Sequence, residues 1–441
     1  MFDATHVPEP VEEPESTAPG ENRPRPIGFL PSPPPCRPPW WARGGHAQTL
    51  LGHWLASPAA ELPWEILNVK LADGDALRIR LVRGRSGRVV TLFHGLGGSA
   101  DRDYMLRAAA RFFAAGDSVI AVNHRGAGDG RGLARKPYHS GATTDLAAVF
   151  QVGRGLFPDH WHLAIGYSLS GNILLLLLGQ DAKEPVPKPP RAALGAPGGG
   201  SQGRRGEHSG FTRSEPDAAG CRPPPQPEGT MPAGRSSASG PLNDEPHRPA
   251  GPSLRSIPAG IVAAHEGFGT GSWAHPDAAI AVNPPADLDH CSRLLGRGLN
   301  RLYDLRFVHL LREELRHRWE LGLLDAPVAI PAAATLRDFD ELYTAKAAGF
   351  WDRSQYYARC ACGPHLGRVR IPTVILSAED DPFAPAADLL RCPLSPRIHL
   401  HIEPHGGHMG YLTRDLPDRR WLEPTLLHFA GALFKLQSNK C

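Results

Sequence analysis

The sequence predicts an α/β fold, a mostly parallel sheet with helices on both faces. Three observations carry this. Short apolar strand runs alternate with helical stretches along most of the chain. Strand candidates such as Ser118–Asn123 and Leu163–Tyr167 are apolar nearly throughout, as strands covered on both faces are. A small-residue turn, Gly166–Gly171, ends one strand and opens an apolar helix.

The elements follow in order. Ile66–Leu71 and Leu77–Val82 flank Asp73-Gly74, a hairpin signal. Val89–Phe93 is a short β-rich run ending in His94-Gly95. Tyr104–Ala115 has helical spacing and stops at Gly116. The strand Ser118–Asn123 ends in His124-Arg125-Gly126, and Thr143–Val152 opens on Thr and Asp capping residues and reads as helix. The strand Leu163–Tyr167 leads directly into the apolar helix Leu169–Leu178. The next core strand is expected only at Ala278–Val282. Late strands are expected at Thr373–Ser377 and Ile398–Ile402, with a final helix over Leu422–Leu436.

Composition sets the domain map. Of 441 residues, 41% are hydrophobic, enough for a sizeable core. The 48 Gly and 46 Pro are unevenly spread, which points to unfolded stretches attached to a folded core. Residues 1–38 are rich in Pro, Glu and Ser and are expected to be a disordered tail. Residues 39–184 read as the N-terminal part of the core. Residues 185–276, rich in Pro, Gly, Ser and Arg, read as a disordered insertion, with a mistranslated segment as the alternative. Residues 277–441 complete the core and carry a helical lid at about 287–365.

The formal charge of +3 is near neutral for this length and implies no nucleic-acid partner. Seven cysteines form no CxxC pair, which argues against a disulfide framework or a zinc site and for a reducing, cytoplasmic location. The acidic, Pro-rich N-terminus is neither a signal nor a transit peptide. The longest aliphatic run, Ile173–Leu178, is far short of the roughly 20 residues a bilayer requires, so no transmembrane anchor is expected.

The chemistry centres on Gly166-Tyr167-Ser168-Leu169-Ser170-Gly171. A strand runs in and a helix runs out, the context of a nucleophile elbow. Such a turn needs small residues two before and two after the serine. Gly166 fits; Ser170 stands where glycine is usual, a mild departure. An ordinary small-residue turn would also fit the stretch taken alone. A serine hydroxyl needs a base, and the base an orienting acid, in the chain order Ser, Asp, His. Asp380-Asp381-Pro382 follows one late strand and His405-Gly406-Gly407-His408 follows the last. Both loops lie at strand C-termini, where active sites of open α/β sheets are found. Asp381 directly precedes the proline, and His408 sits deeper in its Gly-flanked loop; His405 is the second choice. The candidate catalytic residues are therefore Ser168, Asp381 and His408. The backbone amides of Leu96, in the loop His94–Gly98, and of Leu169 are the expected oxyanion donors. The alternation of His399, His401 and Glu403 could ligate a metal, but no HExxH-type spacing accompanies it and a polar strand face is simpler. No cofactor is expected.

The chain resembles the YheT-type branch of the α/β-hydrolases, which includes related eukaryotic abhydrolase-domain proteins. The stretches that carry the resemblance are Pro38–Leu51, Thr91–Ser99, Val122–Gly126, Tyr138–Leu146, Ile165–Asn172, Ala281–Leu288, Gly298–Tyr303, Thr335–Thr344, Ala378–Phe383 and His405–Gly410, in register over about 38–436. The resemblance implies an α/β-hydrolase fold with a helical lid, the triad Ser168, Asp381 and His408, and a carboxylic ester, small-molecule or lipid, as substrate. An acyltransferase or a non-catalytic binding protein on the same fold are the rival expectations.

Overall fold

The computed structural model describes residues 27, 30–55, 61–180, 260–263 and 274–438. A nine-stranded sheet forms the centre, with strands in the order β6-β1-β2-β4-β3-β5-β7-β8-β9. In chain order the strands are β1 (Glu65–Lys70), β2 (Ala76–Val82), β3 (Arg88–Phe93), β4 (Ser118–Asn123), β5 (Trp161–Tyr167), β6 (Gly260–Ala263), β7 (Ala278–Val282), β8 (Thr373–Ala378) and β9 (Ile398–Glu403). The β1–β2 hairpin turns at Asp73-Gly74, where Gly74 takes a φ of 89° that side chains resist. From β4 through β3, β5, β7 and β8 to β9 all pairings are parallel. The α/β-hydrolase fold expected from the sequence is thus present.

The helices are α1 (Gly45–Trp54), α2 (Asp103–Ala114), α3 (Thr143–Leu156), α4 (Leu169–Gly179), α5 (Leu288–Leu295), α6 (Arg301–Glu320), α7 (Leu336–Phe339), α8 (Ala345–Ala347), α9 (Arg353–Cys360), α10 (Ala386–Leu390) and α11 (Leu422–Ser438). The period-2 alternation of the strands sorts the core into two layers. Val89 and Phe93 of β3 face a layer with α3 and α4, while Val90 and Leu92 face one with α2 and α11. Every residue of β4, β5, β7 and β8 is buried, which is why these strands read as continuous apolar runs. Every residue of α4 is buried too, as expected for a helix hydrophobic all round. Between β7 and β8 the chain runs through α5–α9, the stretch expected to form a helical lid. Arg318 ties α6 down. It is fully buried and its guanidinium donates to the carbonyls of Ala134, Arg135 and Arg125.

Two compositional expectations need correction. The tail was expected to be disordered through residue 38, yet its last part is packed. Leu30 and Cys36 are buried beside α11 and β9. The Cys36 amide donates to Glu403 at 3.0 Å, and the Trp421 indole donates to the Pro34 carbonyl at 2.6 Å. Proline-rich backbone has few N–H groups to satisfy, so it can pack against the core without joining the sheet. Within the 185–276 stretch, Gly260–Ala263 forms β6, parallel to β1 at the sheet edge. Backbone pairing, which asks little of side-chain pattern, explains why composition overlooked it. The remainder of that stretch up to residue 273 lies outside the described residues.

Candidate active site

The predicted residues gather at the C-terminal edge of the parallel strands. Leu96 follows β3, Ser168 follows β5, Asp381 follows β8 and His408 follows β9. Ser168 has a φ of 50°, the left-handed backbone that lifts its hydroxyl off the turn between β5 and α4. Gly166 is obligatory there, because a Cβ would lie 2.4 Å from the Ser170 carbonyl oxygen.

A chain of hydrogen bonds joins the three side chains. Ser168 Oγ lies 2.8 Å from His408 Nε2, and His408 Nδ1 lies 2.8 Å from Asp381 Oδ2. Asp381 is held from several sides. Asp381 Oδ1 accepts from the amides of Phe383 and Ala384, at 3.1 and 2.9 Å. Phe383 packs on the imidazole with ring centres 4.2 Å apart. The neighbouring carboxylate does a different job. Asp380 Oδ1 accepts from the amides of Gly406 and Gly407 and so shapes the loop that carries His408. His405 is half-exposed and 3.7 Å from Asp380.

The loop His94–Gly98 abuts Ser168. A Cβ on Gly95 would meet that of Ser168 at 3.3 Å, so glycine permits this approach. The Gly95 and Gly97 amides donate to the hydroxyls of Tyr104 and Tyr138, at 3.0 and 2.9 Å. The Leu96 amide between them has no partner among the described residues. The Leu169 amide is in the first turn of α4, where no intrahelical acceptor exists.

Sequence reasoning overlooked three contributors. Asn283, at the end of β7 with a φ of 45°, donates to Asp381 Oδ2 at 2.8 Å and to the Gly407 carbonyl at 3.2 Å. Its own oxygen accepts from Tyr411. It was visible only as an asparagine after a strand in Ala281–Leu288. Asn283→Ala should lower kcat by about 10- to 100-fold with little change in KM, the value of a hydrogen bond to a charged group. Steady-state kinetics tests this, and an unchanged kcat would remove Asn283 from the site.

The second contributor is α1. A Cβ on Gly45 would lie 1.7 Å from the Asp380 carbonyl oxygen, and one on Gly52 2.5 Å from the Gly410 Cα. Thr49 Oγ1 accepts from the His408 amide at 2.8 Å. The Gly-Gly-His-Ala-Gln-Thr stretch thus packs α1 directly on the acid and histidine loops.

The third is Ser170 itself. Its hydroxyl donates to the His94 carbonyl and lies 2.6 Å from His124 Nε2. With the hydroxyl proton on His94, His124 must carry its proton on Nε2, leaving Nδ1 as a buried acceptor without partner. Burial lowers the His124 pKa to about 4, and burial likewise holds His94 well below the ordinary range, so both rings are neutral. Ser170 therefore links the turn between β5 and α4 to the loop His94–Gly98. Ser170→Ala should cost about 1–3 kcal/mol of stability by leaving a buried donor unpaired, while Ser168 remains reactive. Denaturant unfolding checks the first part and covalent labelling the second.

His401 pairs with Glu403 at 2.8 Å and stacks near Trp421, while His408 faces Ser168. Among the described residues no three His, Cys, Asp or Glu side chains converge as a metal set.

No family model matches the chain. The YheT protein of Escherichia coli is 32% identical over 152 residues, 33% of this chain and 45% of that protein. Human phospholipase ABHD3 is 20% identical over 387 residues, 84% of this chain and 72% of that protein. The chain is similar to the YheT-type branch of the α/β-hydrolases. Medium-chain fatty acid ethyl ester synthase/esterase 2 of Saccharomyces cerevisiae is also similar to this chain, 32% identical over 94 residues, 21% of this chain and 20% of that protein. The chain thus spans less than half the length of its bacterial and yeast relatives in these matches. Among solved structures, the α/β hydrolase GrgF of Penicillium sp. sh18 is 14% identical, with a TM-score of 0.43 over 86% of this chain and 100% of that one. Among the described residues no helix is long and apolar enough to cross a membrane.

Proposed function

We propose that this chain hydrolyses carboxylic esters by two-step acyl transfer. The observation that carries the reading is the unbroken chain Ser168–His408–Asp381 beside an amide-lined loop, opening on one cavity. Ser168 Oγ attacks the ester carbonyl while His408 Nε2 takes its proton. Asp381, braced by Asn283 and two amides, keeps the imidazole oriented and stabilises its charged form. The amides of Leu96 and Leu169 receive the oxyanion. His408 then returns its proton to the leaving alcohol, and water repeats the sequence to release the acid. The cavity is walled by apolar groups including Leu96, Leu169, Leu295, Phe307 and Phe383, which suits an ester with an alkyl portion. Relatives named phospholipase and esterase are consistent with such a substrate, small-molecule or lipid.

The test is a fluorophosphonate probe together with a panel of simple esters. Labelling at Ser168 and turnover support the reading; a chain that neither labels nor turns over any ester is a binding protein on this fold. The yeast relative is named both synthase and esterase, which supports a second reading, acyl transfer to an alcohol. Product analysis with added ethanol separates the two: new ester in place of free acid is the signature of the transferase.

A further inference from the structure

The wall of the same cavity carries polar groups that the acyl-transfer chemistry does not use. Asp340, Thr344 and Tyr357 line it together with Ser168 and His408. Asp340 is buried, and the Tyr357 hydroxyl donates to its Oδ2 at 2.7 Å. Asp340 forms no ion pair within 4 Å among the described residues, since Arg337 is spent on Asp289 and Ser292. A carboxyl in the wall of an apolar cavity costs free energy that a leucine would not. Burial raises its pKa to about 6, against hydrogen bonds from Thr344 and Tyr357 that lower it. The backbone is unusual at the same place. Asp340–Thr344 is a π-helical turn set between α7 and α8, a deviation that clusters at functional sites. The wide turn sets both Asp340 and Thr344 against the cavity.

We propose that Asp340, with Thr344 and Tyr357, is a specificity site that accepts a hydrogen bond from a hydroxyl group at the far end of an ester substrate. A carboxylate offers about four acceptor positions, and two protein donors leave room for one from the ligand. A neutral hydroxyl fits better than an ammonium. The charges of Arg353 and Arg337 already act on Asp340, and a further cation would meet their repulsion while losing its own hydration. The cavity, about 100 Å³, sets the scale of the group between ester and hydroxyl. A cavity of about 150 Å³ holds benzene, so a short alkyl spacer is the match. This selectivity rests on the esterase reading and gives it a substrate class, short esters hydroxylated at the distal end.

The experiment uses the full chain and matched ester pairs. One pair varies the acyl half: para-nitrophenyl hexanoate against its terminal-hydroxy counterpart. The other varies the alcohol half: hexyl acetate against its terminal-hydroxy counterpart. In at least one pair the hydroxylated ester should have a kcat/KM about tenfold higher, carried by KM, as expected for one hydrogen bond to a charged group. Asp340→Leu should bring that ratio close to one while kcat on the plain ester persists. Fluorophosphonate labelling of Ser168 reports whether the variant is folded. If Asp340→Leu does not label, the isosteric Asp340→Asn is read instead and should at least halve the preference. Equal kcat/KM within both wild-type pairs, or a preference untouched by these substitutions, overturns the proposal. Absence of labelling in the wild type overturns the esterase reading instead, so the two failures are distinct.

Discussion

Replacing Ser168 by alanine should abolish ester hydrolysis, with a loss of up to about 10⁶ in kcat, the scale seen when another serine triad loses its nucleophile. The expectation follows from the backbone as much as from the hydrogen bond. A non-glycine residue at a φ of 50° is strained, and the strain is retained where it presents a side chain. Here it aims the hydroxyl at His408 Nε2, 2.8 Å away, between the Leu96 loop and the start of α4. Alanine removes the hydroxyl and leaves the Leu96 and Leu169 amides, the proposed oxyanion donors, in place. A small residual rate is therefore compatible with the assignment, and fluorophosphonate labelling should vanish. Most of the activity surviving in Ser168→Ala, alongside its loss in Ser170→Ala, would move the nucleophile and sink the mechanism.

His408→Ala should be nearly as damaging, because a serine hydroxyl without a base is a poor nucleophile at neutral pH. His405→Ala should leave activity close to wild type. Both histidines have a carboxylate neighbour, but the neighbours differ. Asp381 Oδ2 is 2.8 Å from His408 and also held by Asn283, whereas Asp380 is 3.7 Å from His405 and engaged with two loop amides. Of the two, the His408 imidazole is the one that hydrogen-bonds Ser168. Rates of covalent labelling in the two variants decide the matter. Labelling that survives in His408→Ala and disappears in His405→Ala reverses the choice of base.

Much of this arrangement was legible in the sequence because its determinants are local. A strand, a small-residue turn and an apolar helix identify an elbow within a dozen residues, and α4 is apolar on every face because it is buried on every face. The order Ser, Asp, His at strand ends follows from parallel strands, whose C-termini share an edge. The features that were missed are those that composition averages away. Leu30 and Cys36 anchor a stretch whose neighbours are mostly proline, serine and other polar residues. β6 is held by pairing to β1 rather than by a side-chain pattern.

By itself, then, the sequence determined the fold class, the edge of the sheet on which the site is built, and the residue types available there. Tertiary structure alone decided which of those residues work together. Ser168 and His408 are 240 positions apart, and their contact depends on the register of every strand between β5 and β9. The role of Ser170 is of the same kind. In sequence it is a serine where glycine is usual; in space its hydroxyl binds the carbonyl of a residue 76 positions away. Asn283 and Asp340 carry no local signature, because a hydrogen bond to a distant carboxylate or a place in a cavity wall leaves no period in the chain. Short-range pattern records what a residue is buried in, and long-range packing determines what it touches.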